Sequence, residues 1–176
     1  MKIVKLILSL TIIAAVCAGV LASVNAVTKE TIKGIRAQQT LDAAAAVMPP
    51  AVDATKVEAL AEGVFVGKDA SGKPAGYAVR GSDPSGYGGD IVLMVGFKKD
   101  KKTVISYKVL QAAETPGLGM KLKTPEFAGQ FAGKDATSLR VKKDGGDIAA
   151  ITAATITSRA VCRAIEDARR NLAEAQ

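Results

Sequence analysis

Between Leu6 and Thr28 the chain runs for 23 residues without a charge. As a helix, this run would be about 35 Å long at about 1.5 Å per residue, and the hydrocarbon core of a bilayer is about 30 Å thick. Val24-Asn25-Ala26 has the small residues of a signal-peptide cleavage site. The apolar part of a signal peptide is shorter, however, at about 7–15 residues. The run therefore predicts an uncleaved, single-pass membrane anchor.

The charges on either side of the run indicate its orientation. Lys2 and Lys5 precede it, and basic residues favour the cytoplasmic side of a membrane. We therefore expect the N-terminus in the cytoplasm and the residues after Thr28 on the extracytoplasmic, or periplasmic, side of the inner (plasma) membrane. Three basic residues just beyond the run weaken this argument: Lys29, Lys33 and Arg36.

The residue inventory excludes several kinds of chemistry. The chain has no histidine, and its two cysteines, Cys17 and Cys162, are far apart in sequence. A histidine-based triad, a clustered metal site and a disulfide framework are therefore not expected. The formal net charge is +7, but the lysines are scattered and the few aromatic residues do not interleave with them, as nucleic-acid binding would require. We expect no metal and no nucleic-acid partner.

The remainder of the chain indicates helices first and strands later. Residues 29–50 read as a juxtamembrane helix that continues from the anchor and ends at Pro49-Pro50. Asp53 to Glu62 is interpreted as another short helix. Apolar runs between turn residues then predict these strands: Val64–Val66, Gly76–Val79, Ile91–Phe97 as a central strand, Thr103–Gln111 and Leu139–Val141.

Turn and loop segments separate these strands. Asp69–Pro74 and Lys98–Lys102 predict turns, Gly81–Gly89 predicts a loop, and Pro125–Phe131 predicts a short helix. We expect three parts: residues 1–28 as cytoplasmic N-terminus and anchor, residues 29–50 as the juxtamembrane helix, and residues 51–176 as one extracytoplasmic domain.

A hydroxyl-rich stretch from Asp147 to Val161 is the most informative part of that domain. It contains Thr152, Thr155, Thr157 and Ser158 just before a segment with helical spacing. Thr157 and Ser158 are predicted N-caps of that helix, and an anion near its start would meet free N–H groups. Ala153 and Ala154 leave room for a bulky group. Most such clusters serve only as caps, so this stretch alone does not decide between a cap and a phosphate site.

A second segment, Glu114-Thr115-Pro116-Gly117-Leu118-Gly119, is followed by Lys121, Lys123, Phe127 and Phe131. Together the two segments resemble the G subunit of the Rnf (Rsx) electron transport complex and, less closely, the C subunit of the sodium-translocating NADH:quinone reductase. The family's threonine motif is matched by Asp147 and Thr152-Ala153-Ala154-Thr155. The family has glycine where this chain has Ala153, and an alanine with positive φ there would be strained.

The resemblance implies a fold and a cofactor. The expected fold is α+β, with a transmembrane helix followed by one FMN-binding domain whose mainly antiparallel sheet is flanked by helices. FMN would be joined through its phosphate to Thr155, by a flavin transferase that uses FAD as donor. The remaining flavin contacts would be Glu114, Thr115, Leu118, Gly119, Thr152, Ala154 and Thr157.

The resemblance also implies a function. The chain would carry electrons within an Rnf-type ion-translocating ferredoxin:NAD oxidoreductase, among other membrane and peripheral subunits. It would be an electron-carrying subunit rather than an enzyme by itself. Two alternatives remain at this point: a stand-alone anchored FMN-binding domain in another respiratory or extracellular electron route, and a membrane-tethered binding module without redox chemistry.

Overall fold

The computed structural model describes residues 2–50, 52 and 57–175. Its helices and strands in chain order are α1 (Lys2–Val47), β1 (Val57–Ala61), β2 (Val64–Lys68), β3 (Pro74–Gly86), β4 (Gly89–Lys98), β5 (Val104–Gln111), α2 (Pro125–Ala128) and α3 (Thr155–Glu174). Short 3₁₀ turns lie at Gly119–Lys123, Gly129–Phe131 and Lys142–Asp144. The chain forms two compact units, Met1–Gln39 and Thr40–Gln176, which are described separately.

The N-terminal unit contains most of α1 and the uncharged run. From Ile3 to Lys29 the helix has a mean hydropathy of 2.5, and none of it is buried. Within the described part of the chain, it is the one helix long and apolar enough to cross a membrane. Four hydroxyls of this unit donate to carbonyl oxygens three or four residues earlier in the helix: Ser9, Thr11, Ser23 and Thr28.

The second unit is built on a five-stranded antiparallel sheet in the order β1-β2-β3-β4-β5. One row of the register runs across four strands, pairing Val66 with Tyr77, Tyr77 with Phe97, and Phe97 with Val104. The α+β fold with an antiparallel sheet and flanking helices is thereby confirmed. The predicted turns at Asp69–Pro74 and Lys98–Lys102 are the hairpin connections β2–β3 and β4–β5.

Helices cover both faces of the sheet, because side chains alternate between the faces along each strand. One face packs against α3 through a core that includes Val79, Leu93, Val95, Ala164, Ile165 and Ala168. The other face packs against the last turns of α1 and the residue after them, through Phe65, Ala78, Met94, Ala43, Val47 and Met48. The helix ends at Val47, just before Pro49-Pro50, as predicted.

Two glycines bring these helices into backbone contact with the sheet. A Cβ at Gly81 would lie 2.1 Å from the carbonyl oxygen of Ala164, and a Cβ at Gly96 would lie 2.0 Å from that of Val47. Neither separation is possible for a side chain, so both positions require glycine. The contact at Gly81 sets the distance of α3 from β3, and with it the place where α3 begins.

The predicted loop at Gly81–Gly89 is wrong. β3 continues to Gly86 and pairs with β4 as far as Gly86↔Gly89, which leaves a two-residue turn at Tyr87 and Gly88. Pro84 lacks the N–H group that a ladder needs, and the register shift between Asp83 and Gly86 accommodates it.

Two smaller predictions also need correction. Val57–Ala61 is a strand rather than part of a helix, because pairing with β2 outweighs the helical propensity of its alanines and leucine. The first residues of that predicted helix, 53–56, lie outside the described residues. Ile91–Phe97 lies within β4, which is a central strand as predicted, because it pairs with β3 on one side and β5 on the other. Leu139–Val141 forms a single bridge, Val141↔Ile148, rather than a strand.

Candidate functional site

An open cavity of about 550 Å³ lies where three segments of the second unit meet. Tyr87 comes from the β3–β4 turn, residues 114–119 from the loop after β5, and residues 153–157 from the start of α3. Its lining residues are Tyr87, Glu114, Thr115, Leu118, Gly119, Ala153, Ala154, Thr155, Ile156 and Thr157. The cavity is in the size range of cofactor sites, which is about 300–1,000 Å³.

A buried carboxylate connects the three segments. Glu114 is 6% exposed, and its Oε2 accepts a hydrogen bond of 2.9 Å from Thr157 Oγ1 on α3. Its Oε1 accepts a longer hydrogen bond of 3.4 Å from the Gly88 N–H in the β3–β4 turn. Both oxygens are thus held by segments distant in sequence.

Glycine at position 119 keeps this arrangement possible. A Cβ there would lie 2.4 Å from Glu114 Oε2 and 3.0 Å from Thr157 Oγ1. Any side chain would therefore displace the carboxylate or the start of α3.

The start of α3 has no side-chain cap. Helix α3 begins at Thr155, and its N-cap residue, Ala154, offers no side-chain oxygen. The first N–H groups of the helix therefore meet no capping side chain within residues 57–175. Free N–H groups and the positive end of the helix dipole favour a bound anion.

The predicted N-caps, Thr157 and Ser158, lie inside the first turn of α3, so that prediction is wrong. Both are fully buried. Ser158 Oγ accepts from the Ile151 N–H and donates to the Ala154 carbonyl oxygen, each at 2.9 Å, so it fastens the preceding turn instead. Burial against the sheet and the Glu114 loop places the helix start three or four residues earlier than the hydroxyl pattern indicates.

Ala153 adopts a left-handed backbone conformation, with φ of 60°. This is the position at which the family's threonine motif has glycine. An alanine in this region costs roughly 1–2 kcal/mol, because its Cβ approaches the neighbouring carbonyl oxygen. The strain anticipated from the sequence is therefore present at the edge of the cavity.

Seven of the eight residues predicted as flavin contacts line this cavity: Glu114, Thr115, Leu118, Gly119, Ala154, Thr155 and Thr157. The eighth, Thr152, is exposed and lines a separate cavity of about 180 Å³ beside Phe127. Sequence reasoning missed Tyr87 and Ile156. Ile156 directly follows Thr155 in the hydroxyl-rich stretch, and an apolar residue at that place was the available signal; Tyr87 had no such signal.

The cavity suits a flavin mononucleotide chemically. The uncapped helix start offers N–H groups for a phosphate, and Leu118 and Ile156 offer apolar surface for an aromatic ring, being 42% and 49% exposed. Thr155 is half-buried, and its hydroxyl forms no hydrogen bond to another side chain or carbonyl in the described parts of the chain.

The free cysteine of this unit is not suited to covalent attachment. Cys162 is buried on α3, and this burial raises the pKa of its thiol to about 12. A thiol with such a pKa is not a nucleophile at neutral pH. No cluster of potential metal ligands occurs among residues 2–50, 52 and 57–175.

Comparisons with known proteins agree with this site. The family model described as "FMN-binding domain" matches residues 86–170, from the end of β3 to the last turns of α3. The fold and the cavity thus define an FMN-binding flavoprotein domain attached to an apolar N-terminal helix.

Relatives identify the family more closely. The chain is 35% identical over 175 residues to the G subunit of the ion-translocating oxidoreductase complex of Methanosarcina acetivorans, covering 95% of this chain and 93% of the relative. It is 34% identical over 180 residues to the G subunit of the same complex in Shewanella baltica, covering 90% and 84%. The chain belongs to the family of G subunits of ion-translocating oxidoreductase complexes, which confirms the resemblance to the Rnf G subunit.

A solved structure supports the fold. The C subunit of the Na⁺-translocating NADH-quinone reductase from Parabacteroides distasonis aligns with a TM-score of 0.52 and 26% identity. The alignment covers 64% of this chain and 61% of that one, so it extends over about three fifths of each protein. This agrees with the weaker resemblance to the reductase C subunit.

Proposed function

We propose that this chain is the membrane-anchored flavoprotein subunit of an Rnf-type ion-translocating complex and carries electrons through FMN joined by its phosphate to Thr155. Thr155 is the first residue of α3, so a phosphate on its oxygen would lie beside the uncapped N–H groups. This position of a free threonine hydroxyl is the observation that carries the proposal.

The surroundings of the other hydroxyls favour Thr155 over its neighbours. Thr157 is fully buried and donates to Glu114. Ser158 is fully buried and takes part in two hydrogen bonds. Thr152 is exposed but lies outside the lining of the cavity. Thr155 is the one of the four that combines access to the cavity with a free hydroxyl.

A flavin transferase would install the group, with FAD as donor. The Thr155 oxygen would bond to the phosphorus on the FMN side of FAD, AMP would leave, and the hydroxyl proton would pass to solvent. The reaction involves no oxidation or reduction. The isoalloxazine ring would supply the electron transfer, and the exposed Leu118 and Ile156 side chains would offer it apolar surface.

The location of the domain follows from the anchor. The helix from Ile3 to Lys29 would cross the membrane once, with residues 1–28 as cytoplasmic terminus and anchor and 29–50 as the juxtamembrane segment. Residues 51–176 would then lie on the extracytoplasmic side, next to the other membrane and peripheral subunits. Covalent attachment would prevent loss of the flavin into that compartment.

Peptide mass spectrometry tests the attachment site. The chain is produced with a flavin transferase and FAD, and wild type is compared with Thr155→Ala and with Thr152→Ala as a matched control. We expect an FMN-sized adduct on the peptide containing Thr155 in wild type and Thr152→Ala, and none in Thr155→Ala. Covalent flavin retained in Thr155→Ala would refute the proposal.

A further inference from the structure

The carboxylate of Glu114 touches two of the cavity's three walls and belongs to the third. Its two oxygens accept from Thr157 Oγ1 at 2.9 Å and from the Gly88 N–H at 3.4 Å. Thr157 is 43 residues away in sequence and Gly88 is 26 residues away. These two contacts join the start of α3 and the β3–β4 turn to the 114–119 loop.

Close backbone packing around the carboxylate shows that the site is built for it. A Cβ at Gly86 would lie 2.8 Å from Glu114 Oε1, and a Cβ at Gly119 would lie 2.4 Å from Oε2. A Cβ at Gly88 would lie 1.8 Å from the Ala113 carbonyl oxygen. Glycine at these three positions lets the backbone close around the Glu114 side chain.

The charge of this carboxylate is not balanced by an ion pair. The salt bridges of the described residues join other groups, and Glu114 has none. A buried negative charge acts strongly on nearby groups, because little water screens it. A flavin ring that gains an electron becomes more negative by one charge, and a carboxylate beside it opposes that change.

We propose that Glu114 is the positioning residue of this cavity, holding its three walls together by hydrogen bonds and making the bound flavin harder to reduce through its charge. The second part rests on the proposed function, because it requires FMN in the cavity. The first part is independent of any cofactor. Two substitutions separate these parts. Glu114→Gln removes the charge but can keep the hydrogen bonds, whereas Thr157→Val removes the hydrogen bond to Glu114 and keeps the carboxyl group.

Glu114→Gln tests the charge. An amide can keep both contacts, with its oxygen accepting from Gly88 N–H and its NH₂ group donating to Thr157 Oγ1. In the protein that carries flavin, we expect a midpoint potential shifted upward, measured by redox titration of flavin absorbance. Glu174→Gln is the matched control, since it removes the same charge from an exposed residue at the far end of α3. An equal potential in the two variants would overturn the electrostatic role.

Thr157→Val tests the connection. Valine has nearly the same shape as threonine but no hydroxyl, so Glu114 Oε2 loses its donor while the charge stays. We expect faster hydrogen exchange at residues 86–89 and 114–119 in the flavin-free protein, with Thr157→Ser restoring protection. Unchanged exchange in Thr157→Val would overturn the positioning role.

The two proposals fail separately. Hydrogen exchange is measured without flavin, so its result does not depend on where FMN is attached. If Thr155→Ala kept its covalent flavin, the attachment site would be wrong while the exchange result would still decide the role of Glu114.

Discussion

The Arg163 guanidinium on α3 holds the Asp83 carboxylate on β3 by two hydrogen bonds, Nε to Oδ2 at 2.7 Å and Nη2 to Oδ1 at 3.0 Å. The Asp83 side chain is only 9% exposed, and its Oδ1 also accepts from the Ser85 N–H at 2.9 Å. The pair therefore fixes α3 to the part of β3 that contains Pro84. It lies two turns after Thr155, so it also steadies the helix that carries the proposed attachment site.

Removing the guanidinium should destabilise the second unit. Arg163→Ala leaves the buried Asp83 carboxylate without its cation, and we expect the free energy of unfolding to fall by about 1–3 kcal/mol, the usual range for a hydrogen-bonded charge. Chemical denaturation, followed by a signal from the second unit, measures this. Arg170→Ala is the control, because its ion pair with Asp167 is exposed on the arginine side and should contribute about 0–1 kcal/mol. Equal losses in both variants would contradict the assigned role.

Acid should weaken the same contact. Burial opposes ionisation of Asp83, but Arg163 and the Ser85 N–H outweigh it, so the pKa of Asp83 is lowered. Hydrogen bonds from Arg159 likewise lower the pKa of Asp144. A carboxyl group whose pKa is lower in the folded state stabilises the fold above its unfolded pKa of about 4, and this stability is lost as the pH falls through the folded value.

We therefore expect the unfolding free energy to decrease steeply below about pH 4. Burial raises the pKa of Glu166, so protonation of Glu166 stabilises the fold as the pH falls towards about 4. Wild type and the Asp83 variant are therefore best compared below that pH. Denaturant titrations from pH 7 downward measure the slope. Asp83→Asn should show a shallower decrease than wild type, and an identical decrease would argue against Asp83 as the titrating group.

The candidate site was largely predictable because its walls are short, contiguous motifs. Residues 114–119 and 153–157 each place several side chains in one cavity, and the resemblance to the Rnf G subunit rests on these same two segments. The third wall was not predictable in this way. Tyr87 and Gly88 reach the cavity only because β3 continues past Pro84, which reads as a loop in sequence, and pairs with β4 as far as Gly89.

The start of α3 shows a second limit of sequence reasoning. Thr157 and Ser158 match the preference of helix caps, but their partners are Glu114 and the Ile151–Ala154 turn. Burial against distant segments decides the role of these hydroxyls, and no local pattern records it. Replacing Thr157 therefore breaks a contact between cavity walls rather than a helix cap.

The left-handed backbone at Ala153 should be relieved by glycine. Ala153→Gly removes a strain of roughly 1–2 kcal/mol, partly offset by the greater freedom of glycine in the unfolded chain. We expect a net gain of about 0.5–1 kcal/mol in unfolding free energy and faster flavin incorporation by the transferase. Lys101→Gly is the control, since Lys101 also has φ of 60° but lies in the β4–β5 turn. Lys101→Gly should gain stability without faster flavin incorporation. If both variants incorporated flavin faster, the rate increase would not be due to the backbone strain at Ala153.

The orientation of the anchor can be measured independently of the flavin. If Lys2 and Lys5 lie in the cytoplasm, an alkaline phosphatase fused after Gln176 should be active, because it needs export. Changing both Lys2 and Lys5 to Gln removes the positive charges before the anchor. The phosphatase activity should then fall, because the positive residues after Thr28 would favour the cytoplasmic side. A cytoplasmic reporter that works at the same fusion point would contradict the extracytoplasmic placement.

Leu118 tests whether the 114–119 loop contacts the flavin or only completes the fold. A fully buried leucine changed to alanine costs about 2–5 kcal/mol, but Leu118 is 42% exposed. We therefore expect Leu118→Ala to change the unfolding free energy of the flavin-free domain by less than about 1 kcal/mol. In the loaded protein the covalent bond should persist, while flavin fluorescence and midpoint potential change because one apolar wall is shortened. Leu60→Ala is the matched control, an exposed leucine on β1 at 50% exposure that does not line the cavity. If both variants leave the flavin spectrum and potential unchanged, the Leu118 loop is structural and the ring lies elsewhere.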